Sequence, residues 1–85
     1  MEDTLSTPTL ASLRPGQRGV IKALLCQGLI RRRLLDLGLV PGTEVEAAMP
    51  SPLGDPMAYW VRGTLLALRR EDAERILLEE DHHGP

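Results

Sequence analysis

Short runs in which apolar and polar residues alternate predict a chain built mainly of β-strands. Apolar residues occupy every second position along residues 44–49, and Val20 and Ile21 give residues 19–25 a β-branched centre. Further along the chain, two apolar runs meet at Gly63, where a sharp turn or bulge is expected. The predicted strands cover residues 19–25, 44–49, 59–62, 64–69 and 76–78, and a single helical turn is expected at 71–75.

One helix is predicted between the first two strands. Ile30, Leu34 and Leu37 follow the i, i+4, i+7 spacing of one helical face, which predicts about ten helical residues with an apolar stripe toward the core. Gly38 then supplies the left-handed residue that ends a helix, and Leu39 is expected to fold back onto the last turn. The helix is therefore the sharpest local prediction in the chain.

Glycine and proline separate these elements with tight turns. Residues 14–17 and 40–43 each place Pro before Gly, which is the order that a type II turn requires. Residues 50–56 hold three prolines and one glycine, so this loop is expected to have a preset shape. Five short strands joined in this way favour a small antiparallel β-barrel, whose closure would leave no sheet edge exposed.

The chain has 85 residues, which is enough for one hydrophobic core. Residues 1–9 and 79–85 are polar and predicted to be flexible, so the domain is assigned to residues 10–78. The lone cysteine, Cys26, excludes an internal disulfide, and we expect a cytoplasmic location because no signal-peptide pattern is found. The apolar runs are too short to span a bilayer, so membrane contact is expected only through a partner.

Charge and aromatic content argue against nucleic acid as a partner. Residues 1–70 carry nine basic and six acidic residues, a net +3, whereas residues 71–85 carry one and six, a net −5. Nucleic-acid-binding domains usually show a much stronger basic excess. Tyr59 and Trp60 are the only aromatic residues, which leaves almost no platform for stacking bases.

The sequence shows no arrangement of residues typical of a catalytic site, and we expect a protein that is not an enzyme. The two histidines, His82 and His83, lie in the predicted flexible tail, so Cys26 has no evident base, and no phosphate-binding glycine-lysine loop is present. His82, His83 and the neighbouring carboxylates suit a borderline divalent transition metal, with Cys26 as a further candidate. A flexible segment loses ordering entropy on binding, so we assign no metal ligand and expect no cofactor.

The candidate partner-binding residues lie on the helix and on the proline-rich loop. Arg31, Arg32 and Arg33 form either a solvated helix face or a docking surface for an acidic partner, with part of the charge offset by Asp36 at the i, i+4 position from Arg32. The loop adds Leu53, Asp55 and Met57, because a preset loop loses little entropy on docking. Trp60 is either a partly buried packing residue or an exposed anchor of an interface.

Four blocks of sequence, taken at their separations, carry a resemblance to a known family. They are Leu13-x-Pro15-Gly16-Gln17-x-Gly19-x-Ile21, Arg33-Leu34-Leu35-Asp36-Leu37-Gly38-Leu39-x-Pro41-Gly42-Thr43-x-Val45, Pro52-Leu53-Gly54-Asp55-Pro56, and Arg62-Gly63 with Ala67-Leu68-Arg69. Together they resemble the ferrous iron transport protein A (FeoA) family over about residues 10–80.

The resemblance implies an SH3-like antiparallel β-barrel of about five strands with one short inserted α-helix. It also implies a small cytosolic accessory protein of ferrous iron uptake that docks on FeoB, the membrane transporter for Fe(II), which carries its own GTP-binding domain. The alternative is a metal-binding sensor or chaperone for a divalent transition metal. The resemblance supplies no ligand set for a metal in this sequence.

Overall fold

The computed structural model describes residues 8–49 and 54–80. It confirms a mainly β fold with five antiparallel strands and short helices. In chain order the elements are β1 (Arg18–Leu24), α1 (Gly28–Asp36), β2 (Glu44–Ala47), β3 (Met57–Val61), β4 (Thr64–Leu68), α2 (Arg70–Ala73) and β5 (Ile76–Leu78), preceded by a 3₁₀ turn at Leu10–Ser12. Within the described ranges no helix has the length and apolar character needed to cross a membrane.

The five strands form one sheet in the order β4-β3-β2-β1-β5. The expected closure into a barrel is wrong for the described part of the chain, because no ladder joins β4 to β5. The outer side of β5 is taken by the segment before the 3₁₀ turn. Thr9 forms a bridge with Leu77, and the Leu78 N–H donates to the Pro8 carbonyl at 2.9 Å. β5 therefore has no free edge with which to meet β4.

The hydrogen-bonded structure extends slightly beyond residues 10–78. Thr9 joins the sheet at one end, and the Glu79 N–H donates to the Val20 carbonyl at 2.8 Å at the other. His82 and His83 lie outside the described residues.

A two-residue turn at Arg62 and Gly63 joins β3 to β4. Both residues have positive φ, +53° and +83°, as a type I′ hairpin turn requires. The turn fixes the register of the hairpin, in which Val61 pairs with Thr64 and Met57 with Leu68. The alternation of β3 then turns Met57, Tyr59 and Val61 inward, and Ala58 and Trp60 outward.

The core of the described residues is mostly aliphatic and contains one aromatic side chain, Tyr59. Its largest fully buried side chains are Tyr59, Leu10, Ile21, Leu39, Ile76, Val45 and Val61. The Tyr59 hydroxyl is buried and has no hydrogen-bond partner among the described residues. Burial raises the pKa of Tyr59, and the nearby positive charge of Arg70 opposes that rise in part.

Helix α1 ends as predicted but does not bury the predicted stripe. The Leu39 N–H donates to the Leu34 carbonyl and the Gly38 N–H to the Leu35 carbonyl, both at 3.0 Å, which is the Schellman motif. Leu39 is fully buried, as expected. Of the predicted stripe only Leu34 is buried, whereas Ile30 and Leu37 are 44% and 43% exposed. The helix meets the core along the line of Leu34, and Leu39 fills the space that a wider helical stripe would need.

Candidate partner-binding surface

Helix α1 exposes apolar residues on its outer side. Leu29 is 85% exposed, and Leu25, just before the helix, is also exposed. Residues 29, 33 and 37 follow one line along the helix at i, i+4 and i+8, and Ile30 lies beside them. We call Leu29, Ile30, Arg33 and Leu37 the α1 surface.

The three arginines of α1 do not share a face. Each residue of an α-helix turns by about 100° relative to the one before it, so Arg31, Arg32 and Arg33 point in three directions. Arg33 lies between Leu29 and Leu37 within the α1 surface. Arg32 borders that surface, and Arg31 lies on the far side of Leu34. The predicted basic face is therefore an apolar surface with one central arginine, and all three arginines are exposed.

Asp36 was expected to offset the charge of Arg32 through an ion pair on the helix. Among the described residues these two side chains form no ion pair. The ion pair that does form joins Arg18 Nε of β1 to Glu46 Oε1 of β2 at 3.6 Å. These two residues are cross-strand partners. Among residues 8–49 and 54–80, the arginines of α1 therefore take part in no ion pair.

The described end of the proline-rich loop, residues 54–56, contacts α2. The Arg70 N–H donates to Asp55 Oδ1 at 2.9 Å, so this carboxylate caps the first turn of α2. Met57 is buried at the start of β3, which corrects the expectation that its side chain is offered to a partner. Leu53 lies outside the described residues. Within those residues, no hydrogen bond or ion pair links the loop to the α1 arginines.

The described residues contain no group of three His, Cys, Asp or Glu side chains placed to hold a metal ion. Cys26 is buried between β1 and α1, in accord with a small packing residue at the end of a strand. The predicted metal candidates His82 and His83 lie beyond the described part of the chain.

A second apolar region lies on the outer face of the sheet. Trp60 and Leu65 are cross-strand partners on β3 and β4, and they are 44% and 50% exposed. They line a groove of about 440 Å³ together with Met49 and Pro15. The sequence left open whether Trp60 is a packing or an exposed residue, and the structure shows it half-exposed with its indole at this groove.

Sequence reasoning missed the α1 surface because it assigned Ile30 and Leu37 to the core. One signal was present in the sequence, since Leu29 and Leu37 are separated by eight residues and so lie on one line of a helix. That line differs from the line of Leu34. Two apolar lines on a short helix indicate that one of them faces away from the core.

A family model and a curated relative indicate the same family. The FeoA domain family matches residues 9–80. A Fe(2+) transport protein A/Fe(2+) transporter FeoB fusion protein of Porphyromonas gingivalis is 36% identical over 70 residues, which is 82% of this chain and 8% of that protein. The chain thus spans a small part of this curated relative.

Solved structures show the same fold. The solution structure of FeoA from Chlorobium tepidum has a TM-score of 0.80 and 35% identity, over 89% of this chain and 76% of that one. The crystal structure of Stenotrophomonas maltophilia FeoA, described as a prokaryotic SH3 domain protein complexed with zinc, has a TM-score of 0.75 and 32% identity, over 85% and 89% of the two chains. From the family match and these likenesses, the chain belongs to the FeoA family, which is associated with ferrous iron transport.

Proposed function

We propose that this chain is a cytosolic accessory protein of ferrous iron uptake that docks on the cytosolic part of a FeoB-type Fe(II) transporter. The observation that supports this proposal best is the Porphyromonas gingivalis relative, named as a fusion of transport protein A with FeoB. Fusion keeps two domains at a high effective concentration. A chain that is separate from its transporter needs a binding surface to reach the same arrangement.

The α1 surface is our candidate for that binding surface. Exposed apolar side chains that form a contiguous patch are typical of protein interfaces, and a central arginine is among the residues that most often dominate binding energy. Leu29 has little contact with its own fold, since it is 85% exposed. We infer that Leu29 and Leu37 enter an apolar groove on the transporter, and that Arg33 pairs with a carboxylate there.

Arg31 and Arg32 have a different part in this proposal. They lie outside the apolar line of α1, so they would be at the rim of the interface. Charges at the rim act mainly on the rate of association. Docking would then modulate Fe(II) uptake, or GTP hydrolysis by the transporter.

The test is the affinity of the full chain for its cognate FeoB, purified in detergent or nanodiscs. We expect Leu29→Glu and Arg33→Glu each to weaken binding about tenfold or more, as loss of a central interface residue does. The double change of Arg31 and Arg32 to Glu is expected to slow association, with an effect that salt reduces.

Matched controls separate docking from general charge effects. Met49→Glu places the same charge at an apolar residue that is equally open to solvent but lies outside α1, and Arg14→Glu reverses an exposed arginine in the first turn. Both controls should bind like the unmodified chain. Full affinity in both Leu29→Glu and Arg33→Glu would remove the α1 surface from the proposal.

A further inference from the structure

Strand β4 is the last strand at one edge of the sheet. It pairs with β3 on one side, and no other described residue pairs with its outer side. The opposite edge differs, because Thr9 bridges Leu77 and covers β5. An open edge presents unpaired backbone groups to any extended chain that can align with it.

The register of the hairpin shows which backbone groups are free. The two-residue turn makes Val61 and Thr64 a hydrogen-bonded pair, and such pairs recur at every second position along an antiparallel ladder. Thr64, Leu66 and Leu68 therefore bond to β3. Leu65 and Ala67 direct their N–H and C=O groups away from it, so two residues offer two donors and two acceptors.

Nothing in β4 protects this edge. The segment Thr64–Leu68 contains no charge and no proline, and its pairing with β3 runs without a bulge. Natural proteins use those three devices to prevent pairing at exposed edges. Leu65 is 50% exposed beside Trp60, which adds apolar surface next to the free backbone groups.

Exposed arginines flank the edge at both ends. Arg62 precedes β4, with Cδ and Nε of its side chain close to Gly38 at the end of α1, and Arg69 and Arg70 follow β4. Asp55 and Glu71 lie beside the second pair, yet neither forms an ion pair with these arginines in the described part of the chain. A second copy paired antiparallel through Leu65 and Ala67 would bring Arg62, in the turn before β4, toward Arg69 and Arg70 of the other copy, and like charges that come close are unfavourable. The charges favour an acidic occupant instead.

We propose that β4 binds an extended segment of a partner protein, antiparallel to β4, with apolar residues at its centre and acidic residues at both ends. The segment adds a sixth strand to the sheet, with its main chain bonded to Leu65 and Ala67. Its carboxylates meet Arg62 at one end and Arg69 and Arg70 at the other. This site is separate from the α1 surface and does not depend on the transporter proposal.

The test uses the full chain labelled with ¹⁵N and the capped peptide EDTVTVTDE. In the antiparallel register the two valines of this peptide lie opposite Ala67 and Leu65, and its terminal acids extend past the two ends of β4, toward the arginines. We expect saturable shifts of the Leu65 and Ala67 amide resonances. The peptide KKTVTVTKK reverses the charges, and EDTPTPTDE keeps them but cannot donate at the paired positions. Both peptides should bind at least tenfold more weakly. KKTVTVTKK loses several exposed charge pairs, and EDTPTPTDE loses backbone hydrogen bonds.

Two kinds of variant test the site from the side of the protein. Ala67→Pro removes an outward N–H that β3 does not use, and should abolish binding, whereas Ala67→Val keeps the N–H and should retain it. Joint replacement of Arg69 and Arg70 by Gln leaves the edge intact, so it tests the charges even if the proline variant misfolds. This double variant should bind EDTVTVTDE about fivefold more weakly than the unmodified chain does, and should bind KKTVTVTKK no more weakly.

Four results would overturn the proposal. The first is an absence of saturable shifts with EDTVTVTDE, and the second is equal affinity for the lysine peptide. The third is dimerisation of the chain through β4 without peptide, which would make a second copy the occupant. The fourth is slow exchange of the Leu65 and Ala67 amides in the free chain, which would show that the edge is already paired.

Discussion

Replacing Tyr59 by Phe should leave the protein as stable as before or make it more stable. The ring of Tyr59 is fully buried in the core, and its hydroxyl has no hydrogen-bond partner among the described residues. An unpaired buried polar group costs about 1 to 3 kcal/mol of folding free energy through lost hydration. Phe keeps the ring and removes that cost, so we expect a gain of about 1 kcal/mol.

Thermal unfolding followed by circular dichroism measures this gain. For a domain of this size, 1 kcal/mol corresponds to a rise in Tm of about 4 to 8 °C. Tyr59→Leu is the matched control, because it also removes the hydroxyl but leaves a cavity where the ring packed. That variant should be destabilised by about 2 to 4 kcal/mol. If Tyr59→Phe lowers stability by about 1 kcal/mol or more, the hydroxyl has a partner and the reasoning is refuted.

Tyr59 should also make the stability of the protein depend on pH in the alkaline range. Tyr59 is the only tyrosine, so its ionisation can be followed directly by ultraviolet absorbance. Its pKa is raised in the folded state by burial, so the unfolded chain loses this proton first as the pH rises. The stability that this difference in pKa contributes is fully present below the pKa of about 10 in the unfolded chain. It is lost as the pH rises through the pKa of Tyr59 in the folded protein. Tyr59→Phe should lack this part of the alkaline loss, and identical curves for both proteins would contradict it.

Three further predictions concern two residues at the end of α1 and metal binding. Leu39→Ala should destabilise the fold by about 2 to 4 kcal/mol, because Leu39 is fully buried; denaturant unfolding measures the loss, and an effect below about 1 kcal/mol would contradict the packing described. Gly38→Ala should cost about 1 kcal/mol in the same assay, since φ is +102° there, and an unchanged midpoint would show that the helix end relaxes without strain. Anaerobic calorimetry with Fe(II) should show no micromolar binding; heat that is abolished by deleting residues 79–85 would instead favour the metal sensor or chaperone.

The elements were predictable because their signals are local. The spacing of Leu34 and Leu37, followed by Gly38, is enough to place α1 and its end, and the alternation in β2 and the apolar run of β3 are visible in the residues themselves. The two turns with Pro before Gly were also predicted, and their hydrogen bonds form, from the Gln17 N–H to the Arg14 carbonyl at 2.8 Å and from Thr43 to Val40 at 3.0 Å.

The features that the sequence did not reveal depend on packing between distant segments. Which line of α1 is buried depends on where Leu39 enters the core, and that position is set by the sheet. The sheet does not close into a barrel because Thr9 pairs with Leu77 at the outer edge of β5. These two residues are far apart in the sequence. The burial of Met57 follows from the register that the turn at Gly63 imposes on β3.

The candidate surface was predicted in part. Arg33 was identified, but adjacency in sequence was taken for adjacency on a face, although the 100° step of a helix separates Arg31 from Arg33. Leu29 was not identified, since an apolar residue on a helix was assigned to the core by default. Asp55 was placed in the correct loop, and its role as a cap for α2 rests on a contact fifteen residues away.

Uptake of radioactive Fe(II) tests the central claim most directly. Cells that lack this chain but keep their FeoB-type transporter would be supplied with the unmodified chain, with Leu29→Glu, or with Met49→Glu, at equal expression. If the chain acts by docking through the α1 surface, the unmodified chain and Met49→Glu will give the same uptake, and Leu29→Glu will leave uptake at the level of cells without the chain. Equal uptake with all three proteins would contradict the account.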